Sequence, residues 1–369
     1  MSHNQTLLQP FKLGELTLNN RVIMAPMTRS RSEQPGDIPT ALNAEYYGQR
    51  ASAGLIITEG VPVSAGAKGY AFTPGIFTDA QQAGWKLVTD AVHAKGGRIA
   101  AQLWHVGRIS HHSVLPKGVA PVAPSAIQAQ SKTFAFDDQG VPGMVDCDPP
   151  QALTEQGLAQ VLNEFAQAAK RAVAAGFDLV EVHGANGYLL EQFLATKTNK
   201  RDDQYGGSLI NRARFVLEVV DAVIASVGAQ KVGLRVSPWC PAFINDIDFS
   251  EETEEITLYL AEELAKRKIA FIHLAEWPGV TYSANFRQQL RSKFNGSLIV
   301  CGSYQQSSAQ QIIDQGLADA VAFGRPFIAN PDLPERFAQG AALAEPDQAT
   351  FYGGAAQGYT DYPFLNQPG

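Results

Sequence analysis

His183, Asn186 and Tyr188 lie within one six-residue stretch, His183-Gly184-Ala185-Asn186-Gly187-Tyr188, punctuated by glycine. An imidazole and an amide can each offer an N–H to one oxygen, and a phenol can hand a proton to a nearby carbon. A polarised oxygen, a hydride to one carbon and a proton to the next are what reduction of an activated double bond requires. A lone histidine at such a place is more often structural. Three polar groups together in a glycine-rich loop favour the chemical reading.

Two further groups point to a ligand. Gly302-Ser303 and Gly324-Arg325 each end a short apolar run near the C-terminus. Glycine lets backbone N–H groups approach an anion, and arginine adds a forked charge. Either glycine alone reads equally well as a tight turn. The matched pair with Arg325 favours a phosphate-bearing ligand. Gln102, Arg235 and Thr28 suit a flat heterocycle: an isoalloxazine has one edge that wants a positive partner and one that wants an amide. Arg235 stands among apolar neighbours, which favours burial over a surface ion pair. For Gln102 a role as a strand cap stays open.

The elements that must position these groups alternate along the chain. Eight short apolar runs read as strands: Val22–Pro26, Gly54–Glu59, Gly97–Leu103, Phe177–His183, Val232–Ser237, Ala270–Ala275, Leu298–Gly302 and Ala320–Gly324. Most lack polar alternation, as parallel strands covered on both faces do. Helical patterns lie between them at Thr40–Ala51, Asp79–Ala94, Thr154–Ala174, Ser208–Val227, Glu251–Lys266, Ser283–Lys293, Ser307–Asp314 and Asp332–Ala338. Thr154 reads as an N-cap, Ser250 precedes Glu251 and Glu252 at another helix start, and Gly176 and Gly316 stand where left-handed C-caps belong. The expected fold is α/β: one (β/α)₈ TIM barrel over residues 1–369, with a small N-terminal hairpin at Phe11–Leu18 under its floor. An insertion over 106–153, after the third strand, carries a hairpin and reads as a lid. In such barrels the chemistry sits at the C-terminal ends of the strands, and the loops after strands seven and eight bind phosphate.

Composition narrows the function. The net charge of -7 and pI of about 5.5 argue against nucleic acid as a partner. No run suits a membrane span, and the polar start, Met1 to Phe11, does not read as a signal peptide. Three scattered cysteines argue against a disulfide framework, a zinc site or an iron–sulfur cluster, and favour a cytoplasmic setting. No metal site is expected, because His183, Glu59 and His273 do not make a convincing ligand set. An aldolase would want a buried lysine at a strand end, and none is found. His111-His112 read as exposed loop and Cys240 as a packed small residue.

Taken together the segments resemble the old yellow enzyme family, in its bacterial ene-reductase and nitrate-ester reductase branch. The resemblance runs from about Leu7 to Leu365. It rests on Asn20-Arg21-Val22-Ile23-Met24-Ala25-Pro26-Met27-Thr28-Arg29, Ala101-Gln102-Leu103-Trp104-His105-Val106-Gly107-Arg108, Val182 to Leu190, Asp203 to Arg212, Ala322-Phe323-Gly324-Arg325-Pro326 and Phe351-Tyr352-Gly353-Gly354. It implies tightly bound FMN, with NADPH or NADH as reductant and a lean to NADPH. Ala25, Pro26, Met27, Thr28, Gly60, Gln102, His183, Arg235 and Tyr352 would line the flavin. Gly302, Ser303, Phe323, Gly324 and Arg325 would hold its phosphate end. Thr28 would tune the flavin, His183 and Asn186 would bind the substrate oxygen, and Tyr188 would donate the proton. Tyr70, Trp104, Trp277 and Tyr352 would shape a pocket for small enones, nitro compounds or phenols. A monomer or small homo-oligomer is implied.

Three departures from the nitrate-ester reductases lie on the substrate side. They carry two histidines where this chain has His183 and Asn186. Met144 replaces an arginine of their lid hairpin. The loop Glu276-Trp277-Pro278-Gly279 is shorter.

Overall fold

A computed structural model describes residues 6–241, 244–247, 252–277 and 284–366. Eight strands close into one parallel barrel: β1 (Val22–Met24), β2 (Leu55–Pro62), β3 (Ile99–Trp104), β4 (Leu179–Gly184), β5 (Val232–Val236), β6 (Phe271–Ala275), β7 (Ser297–Cys301) and β8 (Ala320–Phe323). Each pairs with its sequence neighbours, and β8 closes on β1 through Val321 to Val22 and Phe323 to Met24. The continuous apolar runs are explained by burial on both faces. One face fills the barrel with Ile23, Leu55, Ile57, Ala100, Leu179, Phe271, Ile299 and Ala320. The other packs Val22, Met24, Ile56, Val180, Val182 and Leu234 against the surrounding helices. Phe11–Leu13 and Leu16–Leu18 form the expected hairpin, and Leu13 and Leu18 plug the barrel floor.

The helices are α1 (Ala41–Gln49), α2 (Asp79–His93), α3 (Glu155–Ala174), α4 (Leu209–Val227), α5 (Thr253–Arg267), α6 (Ala284–Lys293), α7 (Gln306–Asp314) and α8 (Leu333–Gln339). Thr154 Oγ1 accepts the Gly157 N–H at 3.1 Å and Ser208 Oγ accepts the Asn211 N–H at 3.3 Å, so both starts are side-chain capped. Gly176 and Gly316 take the left-handed conformation after α3 and α7. The Ser250-Glu251 start lies outside the described residues, as does Ser283. Two short helices, Leu189–Leu194 and Arg325–Ala329, were not expected; each is too short to give a helical period in sequence.

Strand β2 runs past its expected end to Pro62, because its register against β3 shifts between Ile57 and Gly60. Such an irregularity re-aims side chains at a barrel rim. The insertion after β3 carries an antiparallel hairpin, Lys132–Phe136 with Pro142–Asp146. Asp137 makes its turn: Oδ1 accepts N–H groups of Gln139 at 2.9 Å and Val141 at 2.8 Å. Met144 on this hairpin is 59% exposed. Among the described residues, no helix is long and apolar enough to cross a membrane.

Candidate active site

The loop leaving β4 carries the three residues singled out first. Two successive left-handed residues, Asn186 at φ 59° and Gly187 at φ 77°, turn the chain back sharply. Asparagine tolerates that conformation better than most residues. At Gly187 a side chain is also barred by space, since a Cβ would lie 2.7 Å from Asn245 Cβ. The turn is held from below. The Asn186 N–H donates to Ser237 Oγ at 2.7 Å, and Asn245 Nδ2 donates to the Asn186 carbonyl at 2.7 Å. Ser237 Oγ donates to Glu191 Oε1 at 2.6 Å, and the Gly187 N–H donates to Glu191 Oε2 at 2.5 Å. Glu191, Ser237 and Asn245 escaped the sequence analysis, because nothing in the sequence joins a residue on the short helix to one beyond β5.

His183 ends β4 and is buried. Its Nδ1 accepts the Ala185 N–H at 3.3 Å, so the ring proton belongs on Nε2. Burial, then the Arg235 and His273 charges, holds its pKa well below the usual histidine value. His183 is therefore a neutral N–H donor. The Asn186 Oδ1 is buried with no hydrogen-bond partner; a 180° turn of the amide puts its N–H groups there, as donors to a ligand oxygen. Tyr188 packs edge-on against His183 at 5.2 Å and Trp104 at 4.9 Å, ring centre to ring centre. Tyr70 stacks on Trp104 at 5.4 Å, and its hydroxyl accepts from the Tyr188 hydroxyl at 3.2 Å. Four predicted residues thus form one aromatic cluster. Gly60 makes room for it: a Cβ there would sit 2.5 Å from the Trp104 ring.

Beside this cluster opens a cleft of about 500 Å³ over the ends of β5 to β8. Asn186, Arg235, Trp277, Gly302, Ser303, Phe323, Gly324 and Arg325 all line it. Trp277, expected in the substrate pocket, lines this cleft beside Arg235. Arg235 is 7% exposed, its Nε has no hydrogen-bond partner, and no carboxylate of a described residue pairs with it. A buried cation without a carboxylate is costly unless a ligand supplies the partner. Two guanidinium groups without a carboxylate ion pair among the described residues, Arg235 touching Cys301 and its charge reaching Glu191, with backbone at two glycines in one cleft, fit a phosphate-bearing heterocycle.

Under the cleft runs a buried polar array that sequence analysis did not assemble. Gln102 Nε2 donates to Glu181 Oε1 at 2.7 Å, and His273 Nδ1 meets Glu181 Oε2 at 2.7 Å. Glu181 and His273 are fully buried. Burial works against a charged His273, but the Glu181 carboxylate outweighs it and raises its pKa. The array fixes the Gln102 side chain through its amide N–H. The only sequence signal was a charged or polar residue inside otherwise apolar runs.

On the other rim, Ala25 is tied to β8 by its N–H to the Phe323 carbonyl at 3.0 Å, and Met27 lies against Gly324. Pro26 and Thr28 are partly exposed there. Glu59 is not a ligand candidate: its Oε2 accepts the N–H groups of Arg29 at 3.1 Å and Ser30 at 3.2 Å, fixing the loop after β1. Arg29 in turn binds the carbonyls of Phe351 at 2.9 Å and Gly358 at 2.8 Å. That tether holds Tyr352 at the rim, 63% exposed.

Burial pushes the Glu191 carboxyl up to about 7, opposed by the Ser237 hydroxyl, the Gly187 N–H and the Arg235 charge. A carboxyl raised on folding contributes stability that is fully present below its unfolded pKa, near 4.5, and is lost as pH rises to about 7. The loss is on the order of 3 kcal/mol. Relative to wild type, Glu191→Gln should therefore gain Tm between pH 5 and pH 7.5, whatever its constant offset. A pH-independent difference between the two melting curves would contradict this.

Residues 6–344 match the NADH:flavin oxidoreductase / NADH oxidase family. The chain belongs to that family. It is 43% identical to 12-oxophytodienoate reductase 1 of Oryza sativa subsp. japonica, over 98% of this chain and 93% of the relative. Among solved structures, morphinone reductase in complex with tetrahydroNAD is 55% identical, with a TM-score of 0.95 and 98% of both chains covered. The old yellow enzyme homologue from Zymomonas mobilis is 40% identical, with a TM-score of 0.91 over 98% of this chain and 100% of that one. The barrel, the oxidoreductase class and the FMN cofactor expected from the sequence are borne out. As a family member the protein is an FMN-dependent oxidoreductase related to alkene reductases.

Proposed function

We propose that this flavin oxidoreductase reduces the C=C bond of α,β-unsaturated carbonyl compounds and nitroalkenes with NAD(P)H, and that its range extends to nitrate esters and nitroaromatics. Bound FMN supplies hydride taken from the nicotinamide. Arg235 and the Gln102 amide hold opposite edges of the ring, and Gly302, Ser303, Gly324 and Arg325 hold the phosphate. The His183 Nε2–H and the Asn186 amide bind the substrate oxygen and stabilise the charge that grows on it. Tyr188 delivers a proton to the α-carbon, and the Tyr70 hydroxyl supports the phenolate left behind. Trp104 and Tyr70 form the aromatic wall that orients a flat substrate.

The convergence of the neutral His183 Nε2–H, the Asn186 side-chain amide, which offers its N–H groups once turned over, and the Tyr188 hydroxyl beside the arginine-lined cleft supports this reading. Steady-state NAD(P)H consumption under anaerobic conditions checks it, with 2-cyclohexenone, a nitroalkene and a nitrate ester as acceptors. Turnover with the enone and nitroalkene is expected, giving cyclohexanone and the saturated nitroalkane. No NAD(P)H consumption with any of these acceptors, from an enzyme that does oxidise NAD(P)H once air is admitted, would refute it.

A further inference from the structure

We propose that His111, His112 and Asp148 form a binding site for a transition-metal dication of the Zn²⁺ type at the base of the lid. Among the described residues they are the group of three side chains whose ligand atoms all lie within 4.8 Å of one another. His112 Nδ1 is 2.9 Å from Asp148 Oδ2, and His111 Nε2 is 3.8 Å from Asp148 Oδ1. Ligands about 2.0–2.2 Å from a tetrahedral zinc stand roughly 3.4 Å apart. The two histidine–carboxylate contacts straddle that spacing, and all three ligand atoms lie within 4.8 Å, so an ion needs to draw them in by about an ångström. Two imidazoles and one carboxylate favour zinc, nickel or copper over calcium or magnesium, which prefer oxygen. The His112 side chain is 64% exposed, so the ion has a route in and solvent can complete its coordination.

The ligands are held in place by the backbone. The Asp148 N–H donates to the Ser110 carbonyl at 2.9 Å, and the His112 N–H donates to Asp148 Oδ2 at 2.6 Å. His111 Nδ1 is 2.8 Å from Ser113 Oγ and accepts the Ser113 N–H at 3.3 Å; metal binding through Nε2 moves the ring proton to Nδ1, which then donates to Ser113 Oγ in place of that longer contact. Ser113 Oγ also accepts the Phe136 N–H at 3.0 Å. The site thus touches both strands of the lid: one through Phe136, the other through Asp148, two residues past the strand end. Because the Ala71 N–H donates to the Phe134 carbonyl at 2.7 Å, this hairpin also abuts the segment that carries Tyr70. An ion here pins the lid at its base.

The test uses chelator-treated FMN holoenzyme titrated with ZnSO₄ by calorimetry. One equivalent is expected to bind with a micromolar Kd. His112→Ala, at an exposed position, should weaken binding about tenfold or more. Asp148→Asn should do likewise. His93→Ala, which removes a histidine paired with Asp178 elsewhere, should leave binding unchanged. Zinc should also slow proteolysis at the 137–141 turn in the wild type and not in His112→Ala. Absence of saturable binding, or equal binding by wild type, His112→Ala and Asp148→Asn, would overturn the proposal.

Discussion

Tyr188→Phe should slow enone reduction by about a hundredfold or more, the span expected for loss of a positioned general acid. Reduction of the enzyme by NAD(P)H should be nearly unchanged, because that half-reaction needs no proton from this residue. Stopped-flow measurement of the two half-reactions separates them. The Tyr188 pKa is raised by burial, with the Tyr70 hydroxyl working the other way. The phenol therefore stays protonated across the neutral range and remains competent to donate. Its ring contacts with His183 and Trp104 survive the substitution, so a pocket collapse is not expected. Nitro-group reduction depends less on a proton at carbon and should lose less. Equal slowing of both half-reactions would assign Tyr188 a merely structural part.

His183→Ala should lower kcat/KM for the enone by about 10²–10³-fold, the usual effect of removing one donor to a developing oxyanion. Asn186 remains, so activity falls without vanishing, and phenol affinity should fall with it. The charge state of His183 adds a second check. Its pKa lies well below the ordinary histidine value because it is buried and faces Arg235 and His273. The wild-type oxidative half-reaction should then show no limb near pH 6.5 attributable to this ring. A rate that rose on protonation near that pH would mean that His183 acts as an imidazolium, contrary to the tautomer set by the Ala185 N–H.

Much of this architecture was legible in advance, for physical reasons. A strand buried on both faces must be apolar throughout, so β4 to β8 announced themselves within one or two residues of their ends. Thr154 and Ser208 marked helix starts because orphaned N–H groups need a side-chain oxygen. The loop at His183–Tyr188 was visible because its groups are local in sequence. What was hidden depends on register and closure. Glu181 meets His273 across 92 positions, between strands that are not neighbours in the barrel. That contact exists only because both side chains point inward at one level. Arg29 reaches Gly358 across 329 positions, so the tether of Tyr352 could not be read from Phe351-Tyr352-Gly353-Gly354 alone. Gly60, expected at the flavin wall, also gives the Trp104 ring its room, a contact the sequence alone does not reveal. Glu59 entered as a weak metal candidate and proves to be a backbone clamp, placed by the shifted register of β2.

The most direct test of the account is the visible spectrum of the purified protein during titration with a phenol. Bound FMN gives a yellow protein, and a phenolate held by His183 and Asn186 over the ring adds a broad long-wavelength charge-transfer band. The account predicts that band in the wild type and a much weaker one at equal phenol concentration in His183→Ala. A yellow protein that gives no band, or one whose band is indifferent to His183, would contradict the assignment of the oxygen-binding site.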